Sequence, residues 1–142
     1  MITWSILQPV VALAAWTMVM WVWLYAKRMP ALGKSGANFD ELVQGPPGKI
    51  DEIVPNKVQW PARNYNHLHE APTVFYAVAL VLAVTGNGGG HGTHVAWAYV
   101  LLRVLHSIVQ STINKGGPRF ALFALSTLCL MALIFRAAQV VF

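Results

Sequence analysis

Four long apolar segments constrain the fold of this chain more than any other feature. They occupy residues 6–26, 61–85, 95–113 and 120–142, with polar or glycine-rich segments between them. A helix of about 20 residues, rising about 1.5 Å per residue, crosses the ~30 Å hydrocarbon core of a bilayer. The pattern therefore predicts an all-α integral membrane protein, with four helices in a single domain over residues 1–142.

Composition excludes other classes of protein. The chain is 56% hydrophobic and 11% charged, too apolar for a soluble domain of 142 residues. The net charge is +5, but the basic residues are dispersed along the chain and do not form a surface of basic and aromatic side chains. We therefore expect no nucleic-acid partner. The single cysteine, Cys129, is interpreted as a small buried apolar residue, and His91 with His94 lacks the partners for a metal site, so no metal is expected.

The distribution of lysine and arginine predicts the topology. Most of them lie in or beside the first connection, two lie in the third, and the N-terminal tail and second connection carry none. The positive-inside rule then places connections one and three in the cytoplasm and both termini outside. Pro30 is expected to end the first helix, and Arg136 to anchor the last helix at the outer face. The first connection should fold partly over the cytoplasmic mouth.

A polar patch begins the second apolar segment. If it is helical, Arg63, His67 and Glu70 lie within a sector of about 60°, flanked by Asn66. Ionisable groups on a membrane helix usually face a bundle interior or a cavity, which favours a functional site. The alternative is that the patch marks the wet end of a spanning helix. Pro72 predicts a kink close to Glu70.

The third segment carries a second polar stripe. Its members are Arg103, His106, Ser107, Gln110 and Asn114. Two facing stripes suggest mutual pairing, with Glu70 and Arg103 as the first pair to expect, either for function or as a purely structural ion pair. Arg119 follows a tight Gly/Pro turn in the first turn of the last helix. It is either functional or an interfacial arginine that reaches towards water.

These motifs in this order resemble MAPEG, the membrane-associated proteins of eicosanoid and glutathione metabolism, over nearly the whole chain. Arg63-x-x-x-His67-x-x-Glu70 is similar to the family's Arg-x-x-x-Asn-x-x-Glu on the second helix. Arg103-x-x-His106 on the third helix and Arg119 at the start of the fourth complete the resemblance.

The resemblance implies a homotrimer that binds glutathione between subunits near the cytoplasmic face. Glu70 would bind the glutathione amino group, and Arg119 would lie by the sulfur as the catalytic residue. The residues that would bind the carboxylates and peptide groups of glutathione, or form the supporting network, are Arg63, Asn66, His67, Arg103, His106 and Gln110.

The sequence departs from the family pattern in ways that bear on activity. Phe120 and Phe123 stand where catalytic members carry hydroxyl residues, Gln110 replaces a tyrosine, and His67 stands where the family usually has asparagine. The first functional hypothesis is a glutathione transferase or peroxidase acting on a hydrophobic electrophile or a lipid hydroperoxide. The second is a non-catalytic membrane protein that binds a lipid or an acidic ligand. The third is a small transporter or channel.

Overall fold

The chain is entirely helical. The computed structural model describes all 142 residues and contains no strand. The long elements are α1 (Leu7–Ser35), α6 (His91–Thr112), α7 (Gly116–Val141), and the pair formed by α4 (Trp60–His67) and α5 (Ala71–Val84). The first connection contains α2 (Phe39–Gln44), α3 (Lys49–Ile53) and a 3₁₀ turn (Asn56–Gln59).

Three helical stretches are long and apolar enough to cross a membrane. They are Leu7–Ser35, Asn56–Val84 and Gly116–Val141. This confirms the prediction of an integral membrane protein. The remaining long helix, α6, has 22 residues but carries the polar stripe around Arg103, so its composition alone does not mark it as a span.

The first helix does not end at Pro30, so that prediction is wrong. It continues to Ser35 and stops where Gly36 adopts a left-handed φ of 68°. Proline removes one backbone hydrogen bond, but burial on the extension compensates: Leu32 packs with Leu42 and Val54 of the first connection in a small apolar cluster. The first connection is therefore folded against the end of α1.

The second span is broken where Pro72 predicts a kink. α4 ends at His67, α5 begins at Ala71, and Glu70 between them has the non-helical dihedrals φ −93° and ψ −103°. Pro72 cannot donate a backbone hydrogen bond and lies in the first turn of α5, where that donor is not needed. The break frees the Glu70 side chain to turn back towards α4.

The main apolar core surrounds α6, which packs against α7, α1 and α4. Leu13, Met20, Phe75 and Tyr99 are completely buried in it. The Phe75 and Tyr99 rings stack with centroids 4.5 Å apart, which fixes α5 against α6.

At the end opposite the first connection, the N-terminal tail docks on the α5–α6 loop. The Thr3 amide donates to the Ala83 carbonyl at 2.8 Å. Arg136, predicted to be an interfacial anchor, is half-buried, and its Nε donates to the Asn87 carbonyl at 3.0 Å. It therefore holds the α5–α6 loop as part of the fold.

Candidate functional site

The polar motifs of three helices meet at one cavity of about 290 Å³. The end of α4 contributes one residue, α6 contributes one, and the start of α7 contributes the rest. The lining residues are His67, His106, Gly116, Arg119, Phe120 and Phe123. We call this space the His67–Arg119 cavity.

His67 connects the aromatic wall of the cavity to the acidic residue of the patch. Its ring centroid lies 5.2 Å from that of His106 and 5.9 Å from that of Phe123. Its Nδ1 is 2.8 Å from Glu70 Oε2. Because an ionised carboxylate only accepts hydrogen bonds, the His67 ring is the donor. This bond sets both the tautomer and the orientation of the ring.

The predicted pairing of Glu70 with Arg103 is wrong within one chain. The structure contains a single ion pair, between His67 and Glu70, and the Glu70 side chain is 67% exposed. Arg103 is only 1% exposed, and none of its three guanidinium nitrogens has a partner. The helix break explains the difference, since it aims Glu70 along α4 and away from the interior.

Arg119 reaches the cavity from the first turn of α7. Its Nη1 donates to Asn114 Oδ1 at 2.7 Å, while its buried Nε has no partner. Asn114 has a φ of 52°, a left-handed conformation that asparagine tolerates better than most residues. The tight α6–α7 turn therefore both reverses the chain and orients the arginine.

The stripe on α6 lies inside the subunit. His106, at 2% exposure, reaches the cavity, whereas Arg103 and Gln110 lie behind it, at 1% and 6% exposure. Many side-chain atoms on this stripe have no hydrogen-bond partner, including His106 Nδ1, Ser107 Oγ and Gln110 Oε1. A buried polar group without a partner costs on the order of 1–3 kcal/mol. The stripe is therefore a network that partners from outside the chain would complete.

Two residues of the predicted set lie away from the cavity. Arg63 is exposed, and its Nη1 donates to Asn56 Oδ1 at 2.6 Å. Asn66 is exposed on the same helix and does not line the cavity. Both face outwards from the subunit, where a ligand at its surface would meet them.

The family of this chain follows from a match that covers nearly its whole length. The MAPEG family model matches residues 6–139. The chain belongs to the MAPEG family. This membership places it among membrane proteins of glutathione and eicosanoid metabolism. Comparison with curated proteins and with solved structures gave no match.

Some residues in or near the His67–Arg119 cavity were not among those predicted from sequence. Asn114 was assigned to the polar stripe but not recognised as the partner of Arg119. The sequence feature that could have identified this pairing is an asparagine beside a Gly/Pro turn, five residues before Arg119. Asn64 is completely buried with both amide atoms unpartnered, and no pattern in the sequence singles it out. Gly116 lines the cavity because the turn places it there.

Proposed function

We propose that this MAPEG protein binds glutathione at the His67–Arg119 cavity and activates its thiol slowly, as a glutathione-dependent transferase or peroxidase. The observation that carries the proposal is the convergence of three separate motifs on one cavity, which Arg119 lines with a guanidinium that donates only one hydrogen bond. The assembly that we propose is a homotrimer of four-helix subunits, with the cavity near the cytoplasmic face and both termini outside.

The charges around the cavity suit the ligand. Glutathione carries two carboxylates and one ammonium. Glu70, exposed and held by His67, offers an acceptor for the ammonium. Arg63 donates to Asn56 but forms no ion pair, so it offers a cation for a carboxylate. Asn66 can supply hydrogen bonds at the same surface. We assign Arg103 and Gln110, which are buried and have unpartnered polar atoms, to the supporting network.

Arg119 is the group that we propose to act on the sulfur. A cation close to a thiol favours the thiolate, which is the reactive nucleophile towards an electrophile or a hydroperoxide. Its guanidinium donates a single hydrogen bond, from Nη1 to Asn114, so most of its five N–H donors are free for the ligand.

The two phenyl rings that follow Arg119 on α7 explain why slow activation is expected. Phe120 and Phe123 line the cavity and offer no hydrogen bond to sulfur. The nearest hydroxyls on α7 are also occupied, because Ser126 and Thr127 both donate to the Phe123 carbonyl. The loss of one donor of this kind can cost about 2.7–4 kcal/mol of transition-state stabilisation.

The same phenyl wall favours a second candidate function. A protein that binds an acidic or lipid ligand without turnover would need the cations but no hydroxyl beside the sulfur. No specific observation favours a transporter or a channel.

Calorimetry with glutathione on the purified protein tests binding, and turnover of a reactive aromatic halide or a lipid hydroperoxide tests activation. We expect wild-type protein to bind at millimolar glutathione or below, and Arg119→Ala to lose turnover. Lys49→Ala removes one positive charge from the first connection, outside the cavity, and is the matched control. Absence of binding would reject the glutathione site, and binding without any turnover would leave the second candidate.

A further inference from the structure

A second site lies between the end of α1 and the first connection. Two cavities of about 540 and 450 Å³ adjoin there, and both are lined by Lys27, Pro55 and Val58. Lys57 lines the larger cavity and Lys34 the smaller one. We call the combined space the lysine groove. It shares no lining residue with the His67–Arg119 cavity.

The charged side chains that line the lysine groove are all positive. Three ammonium groups line it, from Lys27, Lys34 and Lys57, and no aspartate or glutamate does. None of these lysines forms an ion pair within the chain, whose only ion pair joins His67 and Glu70. Three uncompensated cations around a shared space favour an anionic occupant.

The wall of the groove contributes a buried hydroxyl that has no partner in the chain. Ser111, near the end of α6, is 8% exposed, lines the larger cavity, and its Oγ makes no hydrogen bond. The neighbouring hydroxyl, on Thr112, donates to the Ile108 carbonyl and is therefore occupied. Ser111 is thus a buried polar group beside the cations that a phosphate oxygen would satisfy.

The position of the groove relative to the bilayer indicates the source of such an anion. Lys27 ends the apolar part of α1, and Trp23, one helical turn earlier, also lines the larger cavity. Tryptophan is enriched at the boundary between headgroups and acyl chains. On the membrane side of Lys27, α1 exposes an apolar flank that includes Val19 and Val22. Cations therefore stand directly above a surface that suits hydrocarbon.

We propose that the lysine groove binds the phosphate of an anionic glycerophospholipid, with Ser111 donating to a phosphate oxygen and the acyl chains lying along the α1 flank. A free phosphate would use the same cations but would leave Trp23 and the apolar flank uncovered. Basic pockets beside membrane helices bind anionic headgroups for this reason. The bound lipid would tie α1 to the first connection.

Native mass spectrometry of delipidated protein tests the site, with phosphatidylglycerol and phosphatidylcholine of identical chains as probes. The groove variant is Lys27→Gln with Lys57→Gln. The matched control is Lys49→Gln with Lys115→Gln, which removes the same charge from positions outside the groove. We expect about 30-fold weaker phosphatidylglycerol binding in the groove variant, which is about 2 kcal/mol, or about one per lysine.

Three outcomes separate the sources of the anion. Retention of phosphatidylglycerol over phosphatidylcholine, lost in the groove variant and kept in the control, supports the lipid site. Equal retention of both lipids, or equal losses in the two variants, would overturn it. Displacement of the lipid by inorganic phosphate at millimolar concentration would also overturn it, in favour of a soluble phosphate ester.

Discussion

The five arginines on the helices of this protein differ in their hydrogen-bond partners. Arg28 Nη2 donates to Gln59 Oε1 at 2.8 Å. Arg63 bonds to an exposed side chain, Arg119 to the asparagine of its own turn, and Arg136 to a loop carbonyl. Arg103 alone has no partner and is also the most deeply buried. The four hydrogen-bonded arginines each have a different acceptor, and Arg103 has none, so their roles cannot be exchanged.

Glu70 is expected to matter for ligand binding more than for folding. Its side chain is 67% exposed, and its partner is a histidine on the adjacent turn. Exposed pairs contribute about 0–1 kcal/mol, so Glu70→Gln should shift the free energy of unfolding by no more than that. Loss of a charged hydrogen bond to the glutathione ammonium should weaken binding about 10- to 100-fold. Thermal denaturation and calorimetry on the same sample measure both effects, and a loss of stability above 3 kcal/mol would show that Glu70 has a buried partner after all.

Asn114 is expected to position Arg119. Asn114→Gly removes Oδ1, the acceptor of the 2.7 Å bond, and glycine readily adopts the φ of 52°. We expect kcat to fall about 10-fold, because a hydrogen bond to a charged group is worth about 1.5–3 kcal/mol. The dissociation constant for glutathione should change less.

Lys115→Ala, on the same turn, is the control for Asn114→Gly, because it removes a charge but leaves the Arg119 side-chain bond intact. Equal effects of the two substitutions on kcat would contradict the positioning role of Asn114, because Lys115→Ala keeps the bond between Asn114 and Arg119.

At the scale of elements, two prolines have different effects because their surroundings differ. Pro72 separates α4 from α5, whereas Pro30 leaves α1 intact. The part of α1 beyond Pro30 is packed by the first connection through Leu32, which offsets the lost hydrogen bond. A new helix starts at Ala71, and Pro72 lies in its first turn, a favourable position for proline.

The contact between the N-terminal tail and the α5–α6 loop depends on one glycine. A Cβ at Gly88 would lie 2.5 Å from Ile6 Cγ2, and Ile6 is completely buried. Gly88→Ala should therefore destabilise the protein by about 1–3 kcal/mol through overpacking. At Gly89 the nearest atom would be 3.6 Å away, an ordinary contact, so Gly89→Ala should be neutral or slightly stabilising. Unfolding midpoints in one detergent compare the pair, and similar midpoints would show that the tail moves aside easily.

At the scale of the whole molecule, the unpartnered interior predicts an assembly. Buried atoms of Asn64, Arg103 and Gln110 have no partner within the chain. We expect neighbouring subunits, with bound ligand and water, to satisfy the network, and so we expect a homotrimer with no stable monomer in mild detergent. Native mass spectrometry or detergent-corrected light scattering measures this. A monodisperse monomer that keeps its helicity would contradict the prediction.

The sequence by itself determined the helical, membrane-embedded character of the protein and its family. Apolar segments of bilayer length allow few other structures, because backbone groups in hydrocarbon must be satisfied within a helix. The motifs around Arg63, Arg103 and Arg119 carried the resemblance, and the family match over residues 6–139 agrees with it. Pro72 also marked the break in the second span, since a missing donor acts locally.

Only the tertiary structure decided which polar groups meet. The pairing of Glu70 with His67, the burial of Arg103 and the bond between Asn114 and Arg119 depend on how helices cross and where a turn aims a side chain. Spacing along one helix places residues on a shared face but does not fix which neighbouring helix that face contacts. The continuation of α1 through Pro30 was hidden for a related reason, because the apolar cluster that stabilises it comes from a distant part of the chain.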